Sequence, residues 1–141
     1  MMRFLCLVAA CAVLGAVAPM AAFADEARPS QAACDPAKLG GGDLAQCLRS
    51  AADKADRDLQ AALEAAIKSI DQRQGLLSSQ KARWRRSLSE TQAQWVAWRD
   101  DECQDVAPFE AGMAAKGADP RLACIIDSDA ARIASLKARY P

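Results

Sequence analysis

Apolar side chains recur along residues 43–71 at the three- and four-residue spacing that places them on one face of a helix. The positions between them carry mainly charged side chains, which suits a solvent face. The pattern predicts a helix from about Asp43 to Asp71, with Asp43 as its N-cap and Gln46 completing a capping box. The predicted apolar face consists of Leu44, Leu48, Ala51, Ala55, Leu59, Ala62, Ala66 and Ile70.

A second helical pattern spans about Ser79 to Gln104 and contains every tryptophan of the chain. Its apolar positions again alternate in steps of four and three, so this face is expected to form the core. The connector, residues 72–78, is short and contains Gly75, which makes the two helices antiparallel neighbours. Ser78 or Ser79 is the predicted cap of the second helix. The predicted core face consists of Trp84, Leu88, Thr91, Trp95 and Trp98.

Residues 104–121 interrupt this regularity. Two prolines and two glycines in that stretch break any long helix, so we expect an irregular surface loop. Residues that favour strands are scarce and never alternate over a useful length. The predicted fold is therefore all-α, a small bundle of about three helices. The last helix is predicted to begin between Asp127 and Asp129 and to run to about Tyr140, with an apolar stripe of Ile125, Ile133 and Leu136.

The first 24 residues have the organisation of a secretory signal peptide. Arg3 supplies a basic start, an apolar segment follows, and an A-x-A site ends at Ala24 ahead of the polar Asp25. We expect cleavage after Ala24 and a periplasmic or secreted protein. A lipobox-like alternative at Cys11 is less favoured, because it would leave an apolar segment downstream without a role.

The remaining residues, 25–141, are enough for one domain, in which residues 25–42 are expected to form an irregular arm. Without Arg3 the chain has 17 basic and 18 acidic residues, and this near-neutral balance argues against a nucleic-acid partner. One basic cluster is compatible with an anionic surface, such as nucleic acid or lipopolysaccharide, but a solvated helix face beside a core tryptophan is the favoured interpretation. The cluster consists of Lys81, Arg83, Arg85 and Arg86.

Four cysteines follow the predicted cleavage site, and an even number in a small exported chain indicates two disulfides. Three pairings are possible. We favour Cys34–Cys47 and Cys103–Cys124, because the partners are close in sequence and would join a loop to a helix end. Each bond is worth about 3 kcal/mol in the chain-entropy model. A zinc site is disfavoured, since the chain has neither a C-x-x-C pair nor a histidine.

Histidine is absent from the whole chain, which excludes imidazole general-base catalysis and histidine metal ligation. The chain also lacks a glycine-rich phosphate-binding loop. Acidic residues are plentiful and leave a carboxylate-based hydrolase as a minor hypothesis. Asp100, Asp101 and Glu102 are neighbours in sequence, however, and point around a helix rather than toward a common centre. The sequence favours a protein that is not an enzyme and needs no cofactor.

The motif that ends at Cys103, together with the spacing of the four cysteines, carries a family resemblance. The chain resembles the LprI-type lysozyme inhibitors, which are small exported bacterial helical proteins. It departs from their pattern at Gln60, where Asn is usual, at Asp129, where Thr is frequent, and in residues 104–121, where a glycine- and serine-rich stretch is usual. The matching positions are Cys34, Cys47, Asp56, Leu59, Gln92, Trp95, Trp98, Arg99, Asp100, Cys103, Cys124, Arg132 and Leu136.

The resemblance implies an exported protein that blocks the cleft of a lysozyme by protein–protein contact. Its motif residues Trp95, Trp98, Arg99 and Asp100 look structural, because periodicity places both tryptophans in the core and the charged pair is able to form a salt bridge. Lysozymes are usually basic and cleave with two carboxylates, so acidic and loop residues are the candidates for contact. The candidate partner-binding residues are Asp105, Phe109, Glu110 and Asp119, with Asp100, Asp101 and Glu102 beside them.

The alternative function is that of a structural or accessory protein of the cell envelope. Such a protein would bind another partner, with the basic stretch from Lys81 to Arg86 as its contact surface, and would not inhibit lysozyme. A carboxylate-based hydrolase would instead require a concave site with convergent acidic side chains.

Overall fold

A computed structural model describes residues 27–112 and 118–141, so the predicted signal peptide and residues 113–117 lie outside the described part. Within it every regular element is helical, which confirms the all-α prediction, and three of the helices are long. No helix in these two ranges is both long and apolar enough to cross a membrane. The elements are α1 (Pro29–Ala33), α2 (Gly41–Gln72), α3 (Ser78–Asp101), a π-helical segment (Glu102–Val106), α4 (Ala107–Ala111) and α5 (Pro120–Arg139).

The long helix α2 is the axis of the bundle, and α5 lies closest against it. The two run in the same direction, because Ile126 near the start of α5 packs with Leu44 while Leu136 near its end packs with Ile70. Helix α3 returns in the opposite direction along α2, as the short connector predicts.

Two apolar clusters form the core, one at each end of α2. The larger cluster contains Leu59, Ile70, Leu88, Leu136 and Tyr140, with Trp84 and Trp95 packed against it. The smaller cluster lies beside the first disulfide and contains Leu44, Leu48, Ala52 and Ile126. The predicted apolar face of α2 thus extends into both clusters. Burial of one leucine or isoleucine side chain contributes roughly 1.5–3 kcal/mol to folding.

The caps of the two first long helices differ from the prediction. Gly40 is the N-cap of α2, so Asp43 lies in its first turn and the predicted capping box with Gln46 is wrong. An acidic residue in the first turn still interacts favourably with the helix dipole. Leu77, not a serine, is the N-cap of α3, and its backbone N–H donates to Oε1 of Gln80 at 2.9 Å.

The last helix begins at Pro120, several residues before the predicted start between Asp127 and Asp129. Proline fits the first helical turn, because its missing N–H would have no partner there. Asp119 is the N-cap and accepts a hydrogen bond from the backbone N–H of Arg121 at 3.0 Å. The sequence pattern predicts that Pro120 breaks a helix, whereas in the structure it starts one.

The predicted irregular loop is helical in its first part. The chain continues from α3 through the π-helical segment into α4 and leaves the helix at Gly112, which has a positive φ of 47°. Pro108 explains the wide turn: it has no N–H to donate, and its ring would clash with the carbonyl of Gln104 in an α-helix. The N–H of Ala107 accordingly donates to the carbonyl of Glu102, five residues back. Proline widens the helix here instead of ending it.

Both predicted disulfides are confirmed. Cys34–Cys47 joins the segment after α1 to the first turns of α2, and Cys103–Cys124 joins the π-helical segment to α5. The arm is also held by Ser30, whose backbone N–H and hydroxyl donate to the two carboxylate oxygens of Asp127 at 2.7 and 3.0 Å. We refer to residues 27–63, 99–112 and 118–131 as the disulfide end, and to residues 64–90 and 132–141 as the basic end.

Candidate functional site

A single buried arginine organises the disulfide end. Arg99 lies in the last turns of α3, and only 5% of it is exposed. Its Nη1 donates to Oδ1 of Asp129 at 2.6 Å and to Oδ1 of Asp56 at 2.8 Å. Nε and Nη2 both donate to Oδ1 of Asp100, at 2.9 and 2.7 Å. The guanidinium of Arg99 therefore connects α3 to both α2 and α5. The sequence predicts only its salt bridge with the neighbouring Asp100.

Asp129 is fully buried in the middle of α5, well beyond the first turn of that helix. Burial raises the pKa of its carboxyl, and the hydrogen bond and positive charge of Arg99 oppose this shift without cancelling it. Burial also lowers the pKa of Arg99, but hydrogen bonds to its three acidic partners outweigh burial and hold that pKa above its ordinary value. Oδ2 of Asp129 has no hydrogen-bond partner among the described residues. A buried carboxylate of this kind depends on its paired cation.

The rotation of α3 differs from the predicted one. Trp98 is 54% exposed, and Thr91 is exposed as well, so the prediction that all three tryptophans form the core is wrong for Trp98. Arg99 takes the inward position instead, and Cys103, one turn later, is fully buried in its bond to α5. The disulfide and the buried Arg99–Asp129 ion pair fix this rotation, because Cys103 and Arg99 must both face α5.

Trp95 is half-buried between the core and two arginines. The guanidinium of Arg132 lies 5.4 Å from its ring centroid and that of Arg99 lies 5.9 Å away, both in the range of cation–π contacts. Nε of Arg132 also donates to Oε1 of the buried Gln92 at 2.9 Å. The family motif residues Gln92, Trp95 and Arg99 are therefore packing residues of α3.

An exposed surface continues outward from this framework along α3, the π-helical segment and α4. Trp98, Glu102 and Val106 are four residues apart and Phe109 follows three further on, so they stack on successive turns. Phe109 is 86% exposed. From Asp100 to Gly112 the chain has five acidic residues and no basic one. We call this surface the acidic stripe, and it consists of Trp98, Asp101, Glu102, Asp105, Val106, Phe109 and Glu110.

The structure brings together three of the four candidate partner-binding residues. Asp105, Phe109 and Glu110 are all exposed and lie on the acidic stripe. Asp119 is separated from them in the chain by residues 113–117 and caps α5. Asp100 is engaged by Arg99, whereas Asp101 and Asp105 have exposed side chains and, among the described residues, no ion pair within 4 Å.

A groove of about 770 Å³ lies beside the stripe, between α1, α4 and α5. Two carboxylates line it, those of Glu110 and Asp127, and Asp127 already accepts both hydrogen bonds from Ser30. Within residues 27–112 and 118–141, no cluster of three or more cysteine and acidic side chains has the arrangement of a metal site. The acidic stripe, with its exposed apolar and acidic side chains, is therefore a better candidate for a functional site than the groove.

Sequence reasoning missed Asp56 and Asp129 as partners of Arg99, and Val106 as part of an exposed face. Asp56 lies in a run of mixed charges and looked like a solvated residue. A signal was present nonetheless: Leu88, Gln92, Trp95 and Arg99 are as regularly spaced as the chosen apolar set. The two helix faces differ only in that the one with Trp98 is more apolar than the one with Arg99, and an apolar face is the usual choice for a core.

Comparison with known proteins adds one finding. The lysozyme inhibitor LprI family matches residues 34–136, which is most of the chain and spans all four paired cysteines. No curated protein and no solved structure gives a significant match.

Proposed function

Because the chain belongs to the lysozyme inhibitor LprI family, we propose that it is an exported protein that inhibits a lysozyme by direct contact. The disulfides support an extracytoplasmic location, since such bonds persist in oxidising compartments. Export through a signal peptide cleaved after Ala24 is part of this proposal. The family is one of inhibitors, and we assign the protein no catalytic step.

The observation that carries the proposal is the composition of the acidic stripe. Large apolar side chains are seldom left 86% exposed on a helix, and Phe109 shares its surface with the exposed Trp98 and Val106. Aromatic side chains are the residues most often found at the energetic centre of protein–protein contacts. Phe109 and Trp98 are therefore proposed as the apolar anchors of the complex.

The charge of the stripe supports the choice of partner. Asp101, Asp105 and Glu110 form an acidic margin around the apolar anchors, and lysozymes are usually basic. Complementary charge of this kind accelerates association and excludes like-charged proteins. The stripe is mounted on a rigid support, because Arg99 and the Cys103–Cys124 bond fix α3 and the π-helical segment to α5. A surface that is ordered before binding loses less conformational entropy in the complex.

The first experiment titrates a basic lysozyme with the oxidised mature protein and measures hydrolysis of a cell-wall substrate. We expect stoichiometric inhibition by the wild type. Phe109→Ala should weaken inhibition about thirtyfold or more, because an exposed anchor is lost without a change in the core. Asp105→Lys/Glu110→Lys should weaken it at least about tenfold.

Matched controls separate the stripe from the protein as a whole. Leu77→Ala removes an exposed apolar side chain at the other end of the molecule. Asp53→Lys/Glu64→Lys makes the same change in net charge at exposed positions of α2. Both controls should inhibit like the wild type. If they lose as much activity as the stripe variants, the stripe is not the contact surface. If the wild type does not inhibit at a large excess, the accessory envelope protein is the better hypothesis.

A further inference from the structure

The near-neutral net charge of the chain conceals two oppositely charged ends. The basic end contains nine basic and three acidic residues, whereas the disulfide end contains seven basic and thirteen acidic residues. The separation is a property of the fold, because the basic end combines the last part of α2, the first part of α3 and the last part of α5. A charge distribution this uneven creates a local field that the net charge does not reveal.

Six cations of the basic end are exposed and form no ion pair within 4 Å among the described residues. Lys81 and Arg85 differ from them, since Lys81 donates to the carbonyl of Asp71 and Arg85 forms a salt bridge with its carboxylate. The local field is also visible at Arg132, whose pKa is lowered by burial and then by the charge of Arg139. The six exposed cations are Lys68, Arg73, Arg83, Arg86, Lys137 and Arg139.

An aromatic pair of the partly buried Trp84 and the buried Tyr140 contacts cations from two helices at this end. The rings of Trp84 and Tyr140 lie 6.0 Å apart, and Nε1 of Trp84 donates to the hydroxyl of Tyr140 at 3.4 Å. The guanidinium of Arg73 lies 5.7 Å from the Trp84 ring centroid, and that of Arg139 lies 5.5 Å from the Tyr140 ring centroid. The aromatic pair therefore holds charges of the α2 and α5 termini near each other.

An exposed leucine lies at the tip of the same end. Leu77 is 69% exposed in the turn between α2 and α3, next to Leu76, which is partly buried. An apolar tip with surrounding cations is suited to the interface of an anionic bilayer, where the leucine enters the headgroup region and the cations meet lipid phosphates. A nucleic-acid site would use exposed aromatic side chains for stacking, and the described aromatics of this end face the core.

We propose that the basic end is a docking surface for a bilayer that contains anionic phospholipid, with Leu77 entering the interface. This surface is separate from the acidic stripe, and the inference goes beyond lysozyme inhibition. Each Lys or Arg close to an anionic membrane strengthens binding about fivefold, so several exposed cations together give reversible attachment that salt weakens. The protein would then remain at the membrane surface with its acidic stripe directed away from it.

The test is sedimentation of the oxidised mature protein with vesicles of phosphatidylcholine, with and without phosphatidylglycerol, at low and at physiological salt. We expect binding only to the vesicles with phosphatidylglycerol. Arg83→Glu/Arg86→Glu should weaken binding at least about thirtyfold. Leu77→Ser should weaken it more modestly, and serine is a favoured N-cap that preserves the start of α3.

Arg49→Glu/Arg57→Glu is the matched control, because it makes the same change in net charge at exposed positions outside the basic end. It should retain most of the binding. Equal loss in both double variants would overturn the proposal, as would binding of the wild type to a soluble polyanion but not to vesicles. The lysozyme assay on Arg83→Glu/Arg86→Glu keeps the two proposals distinguishable: retained inhibition with lost vesicle binding supports separate surfaces, and loss of both activities contradicts them.

Discussion

At the basic end the three long helices meet through apolar side chains, whereas at the disulfide end buried charges and covalent bonds supplement the apolar contact between α2 and α5. Leu136 and Ile70 are fully buried in the first region. In the second, Arg99 and Asp129 occupy comparable positions, and Cys103–Cys124 connects the same helices. Apolar packing is non-directional, while ion pairs and disulfides require one rotation of each helix. The end that displays the acidic stripe is the end whose geometry is specified most strictly.

The largest effect on stability is expected from reduction of both disulfides. Each closes a loop worth about 3 kcal/mol in the chain-entropy model, so we expect a loss of about 6 kcal/mol in the free energy of unfolding. Both bonds lie at one end, and amides of α1 and the first half of α5 should therefore lose protection first. Amide hydrogen exchange of the oxidised and reduced proteins measures this. Uniform loss of protection along α5 would contradict the distinction between the ends.

The next largest effect is expected for Arg99→Leu. Removal of the cation leaves the carboxylate of Asp129 buried without its partner, which should lower the free energy of unfolding by about 3–5 kcal/mol. Arg85→Leu at the basic end is the matched control, since it breaks a half-exposed salt bridge with Asp71 and should cost less than about 1 kcal/mol. Urea unfolding checks both values.

A double variant sharpens the interpretation. Arg99→Leu/Asp129→Leu removes both buried charges, and we expect it to recover most of the stability lost in Arg99→Leu. If the double variant is as unstable as the single one, the loss comes from packing around the arginine and not from an unpaired carboxylate.

The smallest effect concerns pH. The pKa of Asp129 is raised in the folded protein above its ordinary value of 3.8, so its contribution to stability is fully present below that value. The contribution is lost as the pH rises through the folded-state pKa. We therefore expect the stability of the wild type relative to Asp129→Asn to fall from acidic to neutral pH. Asp71→Asn at the basic end serves as the control in the same unfolding series, and an unchanged or opposite trend for Asp129 would contradict the assigned shift.

Helix content, helix order and disulfide pairing were predictable from the sequence because they depend on local signals. The three- and four-residue spacing of apolar side chains between Leu44 and Ile70 places them on one face of α2. The short connector at Gly75 makes α3 antiparallel to α2. Proline was the ambiguous signal. Both Pro108 and Pro120 have the sequence signature of helix breakers, but Pro108 widens a helix and Pro120 begins one. The outcome depends on whether the missing N–H lies inside a helix or in its first turn, where it needs no partner.

The candidate site was predictable only in part. Asp105, Phe109 and Glu110 were expected to be accessible because they lie in the predicted surface loop, and they are exposed although this part of the chain is helical. The inward rotation of Arg99 was not predictable, because its cause lies in Asp56 and Asp129, which are distant in sequence. Trp98 became exposed for the same reason.

The sequence by itself determined the family, the helical class and the four cysteines, all of which are encoded in residue types and short spacings. The tertiary structure alone decided which charges are buried, which aromatic side chains remain on the surface, and how a neutral chain divides into an acidic and a basic end. These properties arise from residues brought together across the bundle, and electrostatic energy depends on distance in space rather than on separation along the chain.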